Sequence, residues 1–222
     1  MSGRQVGQYV VATMDTVAME TYWDQRYGED GYVFGEAPNA FLAGQAARLK
    51  PGMRALAVAD GEGRNGVWLA EQGLAVLSVD SSAVAQAKAR RLAEARGVPL
   101  QLALVDLVDW TWPQAEFDLV VAIFIQFAAP ALRSEIFGHM QHALKPGGLL
   151  LLEGYRPEQM GYDSGGPSAV ENLYTEPMLR EAFSGLQLLE LRAYDAAIEE
   201  GKGHSGMSAL IDLVAKRPDP AT

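Results

Sequence analysis

Short apolar runs alternate along the chain with longer segments of helical period. Arg54–Ala59 (RALAVA), Ala75–Val79, Leu100–Val105, Phe117–Ile123 and Leu149–Glu153 are mainly apolar and bounded by turn residues, as strands buried on both faces are. Between them the pattern predicts helices at Gly63–Gln72, from an N-cap at Ser82 to a stop at Gly97, and over about Pro130–Leu144. Helices joining short apolar strands require right-handed crossovers. The predicted fold is therefore α/β, a single doubly wound and mostly parallel sheet. Near the carboxyl end come a Gly-rich loop (Gly161–Gly166), a helix near Glu176–Phe183, and two extended runs, Leu186–Tyr194 and Met207–Ala215, separated by about a dozen polar residues. With no crossover helix between them, this C-terminal strand pair should be antiparallel.

At the amino end, residues 1–18 are weakly patterned and read as a leader that need not belong to the fold, leaving 19–218 as one domain. From Thr21 the chain becomes aromatic and polar, with Tyr22, Trp23, Tyr27, Tyr32 and Phe34 among glycines, which predicts a short helix and then an irregular segment. Asn39 is placed to cap a helix reaching about Leu49, where Lys50-Pro51-Gly52 stops it.

Composition narrows the partners. Of 222 residues, 49% are hydrophobic and 21% charged, enough apolar material for one sizeable core. The formal charge is −10 (18 basic, 28 acidic), which disfavours nucleic acid and anionic membrane surfaces as partners. Cysteine is absent, so thiolate nucleophiles and Cys-based metal sites are excluded. The longest apolar run, Leu119–Ile125, is seven residues, against the roughly 20 a membrane helix needs. A cytoplasmic location is the expectation. His139 and His142 lie one helical turn apart with no third ligand nearby, so no metal is expected.

The sharpest local signal is Asp60-Gly61-Glu62-Gly63-Arg64-Asn65-Gly66, between the first strand and the first crossover helix. Gly61, Gly63 and Gly66 satisfy G-x-G-x-x-G, and Asp80 ends the next strand, where a ribose-binding carboxylate belongs. The string alone suggests NAD and an oxidoreductase. The acids in the turn argue otherwise: two like charges 4 Å apart at an effective dielectric of 20 cost about 4 kcal/mol. Asp60 and Glu62, if they point inward, oppose a pyrophosphate and favour a cation such as the sulfonium of S-adenosylmethionine.

In these residues the chain resembles the class I S-adenosylmethionine-dependent methyltransferases, within the group that includes bacterial tellurite and thiopurine methyltransferases. The likeness runs from about Tyr22 to about Lys216. It is carried by Trp23-Asp24-Gln25-Arg26-Tyr27, Tyr32–Asn39, the glycine turn, Val79-Asp80-Ser81-Ser82, Asp106, Phe117-Asp118-Leu119-Val120 and Leu144-Lys145-Pro146-Gly147-Gly148. Two positions depart from the class pattern: Ala59 stands two before the first glycine, where an acid is common, and Asn65 replaces a third glycine.

The resemblance implies a Rossmann-like methyltransferase domain that moves a methyl group from S-adenosylmethionine to a small molecule by in-line displacement. It implies cofactor contacts at Asp60, Gly61, Glu62 and Gly63, with Gly61 and Gly63 admitting the methionine part where a Cβ would obstruct. Asp80 and Ser81 would meet the ribose and adenine; Asp106 and Leu107 would meet the adenine, Asp109 being the alternative acid. Ala122 and Ile123 would contribute mainly backbone. Trp23, Tyr27 and Phe34 resemble a segment that covers the site. Glu153, Tyr155 and His204, the last in the polar loop between the final strands, are candidates for the acceptor pocket or a base. A thiolate or reduced chalcogen would need no base. The rival readings are an NAD-dependent oxidoreductase and a non-catalytic S-adenosylmethionine-binding protein.

Overall fold

A computed structural model describes residues 16–219. One seven-stranded sheet runs through the molecule in the order β3-β2-β1-β4-β5-β7-β6. Its parallel part is β1 (Arg54–Val58), β2 (Ala75–Asp80), β3 (Gln101–Leu104), β4 (Phe117–Ile123) and β5 (Leu144–Tyr155). β6 (Gln187–Glu200) and β7 (His204–Lys216) pair antiparallel with each other, and β7 pairs antiparallel with β5. The α/β class and the reversed final pair are as the sequence predicts.

Alternation along the central strands divides the core between the two faces of the sheet. Leu56, Val58 and Val120 pack with Phe137 and Phe183 on one face, under α5 (Pro130–Ala143) and α6 (Glu176–Ala182). Ala55, Ala57, Leu119 and Val121 pack with Leu42 and Leu69 on the other, under α2 (Ala40–Gly44) and α3 (Arg64–Glu71). Helix α4 (Ala83–Arg96) is bounded as its caps dictate: the Ser82 hydroxyl accepts from the Ala85 N–H at 3.0 Å, and Gly97 takes φ 67°. Helix α1 (Thr16–Tyr27) lies against α4, and the Ser82 hydroxyl donates to Asp24 at 2.5 Å. Of the expected leader, residues 1–15 lie outside the described residues.

Three boundaries differ from the sequence pattern. The helix expected from Asn39 to Leu49 breaks at Gln45 into α2 and one 3₁₀ turn, Ala46–Arg48. Lys145-Pro146-Gly147-Gly148 lies within β5 as an irregularity, where the register to β4 shifts between Phe117 and Leu119. A Cβ on Gly148 would lie 3.0 Å from the Phe117 carbonyl oxygen, so the kink needs glycine. The dozen polar residues between the last two runs are mostly strand: β6 and β7 extend until only Gly201–Gly203 separates them. Polarity hid this extension because β6 is an edge strand with many exposed positions, where a polar side chain costs nothing.

The carboxyl ends of β1, β2 and β4 open on one side of the sheet, and the amino-terminal segment and the tip of the β6–β7 hairpin meet above them. The Gly203 N–H donates to the Val33 carbonyl at 3.0 Å. Gly201 lies so close to the Phe34–Gly35 backbone that any Cβ there would collide with it.

Candidate functional site

The turn after β1 is tightly wound, with Ala59 at φ 47°, Gly61 at φ 59° and Gly63 at φ 85°. Asp60 turns back onto its own unit, accepting from the Gly66 N–H at 3.1 Å and from the Ser78 hydroxyl at 2.8 Å. A side-chain carboxylate thus takes the Gly66 N–H in the first turn of α3, at the helix end where a dinucleotide pyrophosphate would sit. Burial pushes the Asp60 pKa up to about 7, against the lowering effect of these two hydrogen bonds. The third glycine of the G-x-G-x-x-G string serves this contact, since a Cβ at Gly66 would strike the Asp60 carboxylate.

Glu62 is buried and fully engaged. It pairs with Lys88 Nζ at 2.8 Å and accepts from the backbone N–H groups of Val33 (2.7 Å) and Phe34 (3.4 Å). Lys88 in turn donates to the carbonyls of Glu29 (2.8 Å) and Gly31 (2.6 Å). The pair clasps the 29–34 segment onto the domain. The sequence argument from two free inward carboxylates is therefore corrected: Lys88 neutralises Glu62, and burial leaves Asp60 only partly ionised near pH 7. What stands against a pyrophosphate is the Asp60 carboxylate bonded to the Gly66 N–H in the first turn of α3.

Gly63 is absent from the pocket wall. A Cβ there would meet Ala89 Cβ at 2.6 Å, so this glycine permits α3 to approach α4, rather than a ligand to approach the turn. Gly61 does line the pocket, and a Cβ on it would meet the Tyr27 hydroxyl at 2.7 Å.

At the end of β2, Asp80 accepts from the Gly61 N–H (2.8 Å) and the Ser82 N–H (2.9 Å). Burial raises its pKa to about 6, opposed by these bonds. Asp80 and Ser81 line the pocket, as do Asp106 and Leu107 beyond β3. Asp106 Oδ1 accepts from the Val108 N–H at 2.9 Å, while Oδ2 is buried without a hydrogen-bond partner among the described residues. Asp109, the alternative acid, is exposed and off the wall.

Over this cleft sit Trp23 and Tyr27, stacked at 5.5 Å, with Phe34 edge-on to Tyr27 at 6.2 Å. Beyond them His204 begins β7, paired with Glu200 across the hairpin rather than lying in a loop. Its ring is 3% exposed and contacts Phe34 (4.5 Å) and Phe124 (4.4 Å), and neither nitrogen has a hydrogen-bond partner among the described residues. Burial first, and then the charges of Arg64 and Arg26, hold the imidazole neutral well below the usual histidine range. Phe124, at the end of β4, carries φ 56°, a strained value for a bulky residue.

Three further predicted residues fall outside the pocket wall. Ala122 points into the core, with Ile123 on the wall instead. Tyr155 is fully buried behind Phe124, with ring centroids 4.6 Å apart. Glu153 faces the opposite way into a buried polar network, where Asn39 and Tyr194 donate to it. Burial and the neighbouring acids Asp212 and Glu200 drive its pKa well up. Asp212 lies directly across the β5–β7 ladder from it.

Sequence reasoning missed Arg64 and the Lys88 clasp. Arg64 lines the pocket, pairs through Nη2 with Glu200 at 2.6 Å, and keeps Nη1 buried with no partner among the described residues. Its position, directly after the second glycine of the turn, was the available signal.

The open valences fit an adenosyl amino acid. Asp106 Oδ2 is an acceptor for an exocyclic amino group, Asp80 retains lone pairs for a ribose diol, and Arg64 Nη1 is a donor for a carboxylate. Among the described residues no three His, Cys, Asp or Glu side chains form a metal cluster.

Known proteins agree with this geometry. The family described as "Methyltransferase domain" matches residues 55–148. No curated protein matches the sequence. Among solved structures, one from the study of disulfide-to-thioacetal conversion in echinomycin biosynthesis aligns with a TM-score of 0.74 at 19% identity, covering 92% of this chain and 93% of that one. TehB from Haemophilus influenzae aligns at 0.66 and 18%, covering 90% and 67%. Magnesium protoporphyrin IX methyltransferase (ChlM) from Synechocystis PCC 6803, with bound SAH, aligns at 0.63 and 16%, covering 96% and 91%. At these identities the likeness shows the fold. The family match over the centre of the chain and the solved methyltransferase neighbours make S-adenosylmethionine the expected cofactor.

Proposed function

We propose that this domain catalyses S-adenosylmethionine-dependent transfer of a methyl group to a small-molecule acceptor. The observation that carries the reading is that the pocket brings together two unpartnered polar atoms, Asp106 Oδ2 for the adenine and Arg64 Nη1 for the amino-acid carboxylate, with the Asp80 carboxylate, which keeps lone pairs for the ribose. S-adenosylmethionine supplies an activated methyl on a sulfonium, so the chain's own residues have mainly to position and to exclude water. Asp80 and Asp106 fix the nucleoside end. Trp23, Tyr27 and Phe34 cover the cleft, and their faces present π density to a cation. The Glu62–Lys88 clasp holds that cover down.

The acidic balance of the chain supports a small acceptor over an anionic macromolecule. The resemblance to the tellurite and thiopurine group leaves the receiving atom open between sulfur, another chalcogen and oxygen.

The test is calorimetric titration with S-adenosylhomocysteine and with NADH, followed by transfer of labelled methyl to a panel of small acceptors. Binding of S-adenosylhomocysteine with no heat from NADH is expected. Binding of NADH alone overturns the cofactor assignment, and cofactor binding without transfer to any acceptor overturns the catalytic one.

A further inference from the structure

His204 is the one wall residue whose chemistry the cofactor contacts leave unused. Its imidazole is buried with neither nitrogen hydrogen-bonded among the described residues, an arrangement that costs stability until a partner arrives. Its neighbours at the hairpin tip and beyond are engaged, Glu200 by Arg64 and Asn39 and Ser208 by Ser164, whereas Asp212, further along β7, keeps one oxygen unpaired among the described residues but faces Glu153 rather than the pocket. The neutral ring offers one N–H and one lone pair. On the pocket wall it lies against the rings of Phe34 and Phe124, and the same pocket is lined by Phe127 and Leu132.

We propose that His204 receives the methyl acceptor, and that this acceptor is a flat, mainly apolar molecule bearing a hydroxyl group, an aromatic alcohol or enol, whose O–H donates to the free nitrogen of His204. The inference rests on the methyl-transfer reading and adds the acceptor class. Oxygen is favoured over sulfur because S–H and thioether groups bond weakly, and would leave the buried imidazole nearly as unsatisfied as it is alone. Alkylamines, cationic at neutral pH, would lose their hydration against the aromatic rings around His204. Small hydrated oxyanions would lose their water against phenylalanine and leucine side chains.

In the step, the hydroxyl oxygen forms its bond to the methyl carbon as the carbon–sulfur bond breaks, with that bonding pair remaining on sulfur. The O–H pair stays on oxygen and the proton passes to His204, and from there to solvent. One positive charge is lost at the sulfonium as one is gained at the imidazole. Loss of the sulfonium charge removes one repulsion from the imidazolium as it forms.

The test uses the full chain and two variants, His204→Gln and His204→Phe, the second preserving ring packing against Phe34 and Phe124. S-adenosylhomocysteine affinity within about twofold of wild type in His204→Phe separates acceptor loss from cofactor loss. Binding of 2-naphthol, measured by calorimetry with and without S-adenosylhomocysteine, is expected to weaken at least tenfold in His204→Phe. Labelled methyl is expected on 2-naphthol in preference to 2-naphthalenethiol and 2-naphthylamine, with kcat falling at least a hundredfold in both variants. Equal or faster labelling of the thiol or the amine, undiminished 2-naphthol binding in His204→Phe, or wild-type turnover in either variant overturns the proposal. Absence of S-adenosylhomocysteine binding to the wild-type protein overturns the underlying reading instead.

Discussion

Asp80 has both carboxylate oxygens engaged by backbone N–H groups, yet burial carries its pKa to about 6. Ribose hydroxyls bond the ionised form more strongly, so ligand binding expels the residual proton. S-adenosylhomocysteine affinity should fall as pH drops from 7 to 5 and stay level above 7, as titrations across that range will show. Asp80→Ala should weaken binding by about 1.5–3 kcal/mol and remove this part of the pH dependence. Asp60 behaves differently because its carboxyl is committed to the fold. The unfolded chain releases this proton near 3.8 and the folded chain only near 7, so its contribution to stability falls as pH rises between those values and is level above. Asp60→Asn should therefore raise stability at pH 8 by about 1–3 kcal/mol and flatten the profile from pH 4 to 7 in denaturant melts. Residue identity and chain position were enough to bring Asp80 and Asp106 to the pocket. Side-chain direction was not readable: which way Asp60 and Glu62 turned depended on Ser78 and Lys88, partners from elements further along the chain.

Among the elements, those with local signals were legible and those defined by partners were not. Ser82 and Gly97 bound α4 because their geometry is set within a few residues, and the apolar runs of β1 and β4 announce strands buried on both faces. The hairpin was underestimated because half of β6 faces solvent and carries no apolar signature. The cover over the cleft is likewise a product of contacts: Glu62 and Lys88, both less than a tenth exposed, grip the Glu29–Phe34 segment from two different elements. Lys88→Met leaves a buried carboxylate without its cation and should destabilise by about 3–5 kcal/mol. Replacing Glu62 by Gln in the same chain should recover part of that loss. S-adenosylhomocysteine affinity should still remain below wild type in the double variant, because the cover has lost its charged clasp. A double-mutant cycle read by both melting and calorimetry checks the two effects separately.

For the molecule as a whole, the parallel sheet supplies the floor of the cleft, while the walls come from both ends of the chain. A ligand that joins these parts should stabilise the fold: at a hundred times its Kd the gain is about 2.7 kcal/mol, and a chain of this size gains about 2–4 °C per kcal/mol. S-adenosylhomocysteine should then raise the melting temperature by about 5–10 °C, and NADH at the same concentration by less than about 1 °C, in a thermal-shift assay. The long reach of these walls also bears on synthesis. Asn39 and Ala40 bond Glu200, at separations of 161 and 160 residues, and Arg64 reaches the same carboxylate across 136. A chain emerging from the ribosome can assemble its first strands and the glycine turn long before Glu200 and His204 exist. Until they arrive, the guanidinium beside the turn lacks its counter-ion, and the amino-terminal cover is held by Glu62 and Lys88 but not yet by the hairpin. The cleft is therefore closed last, by the strands that are made last.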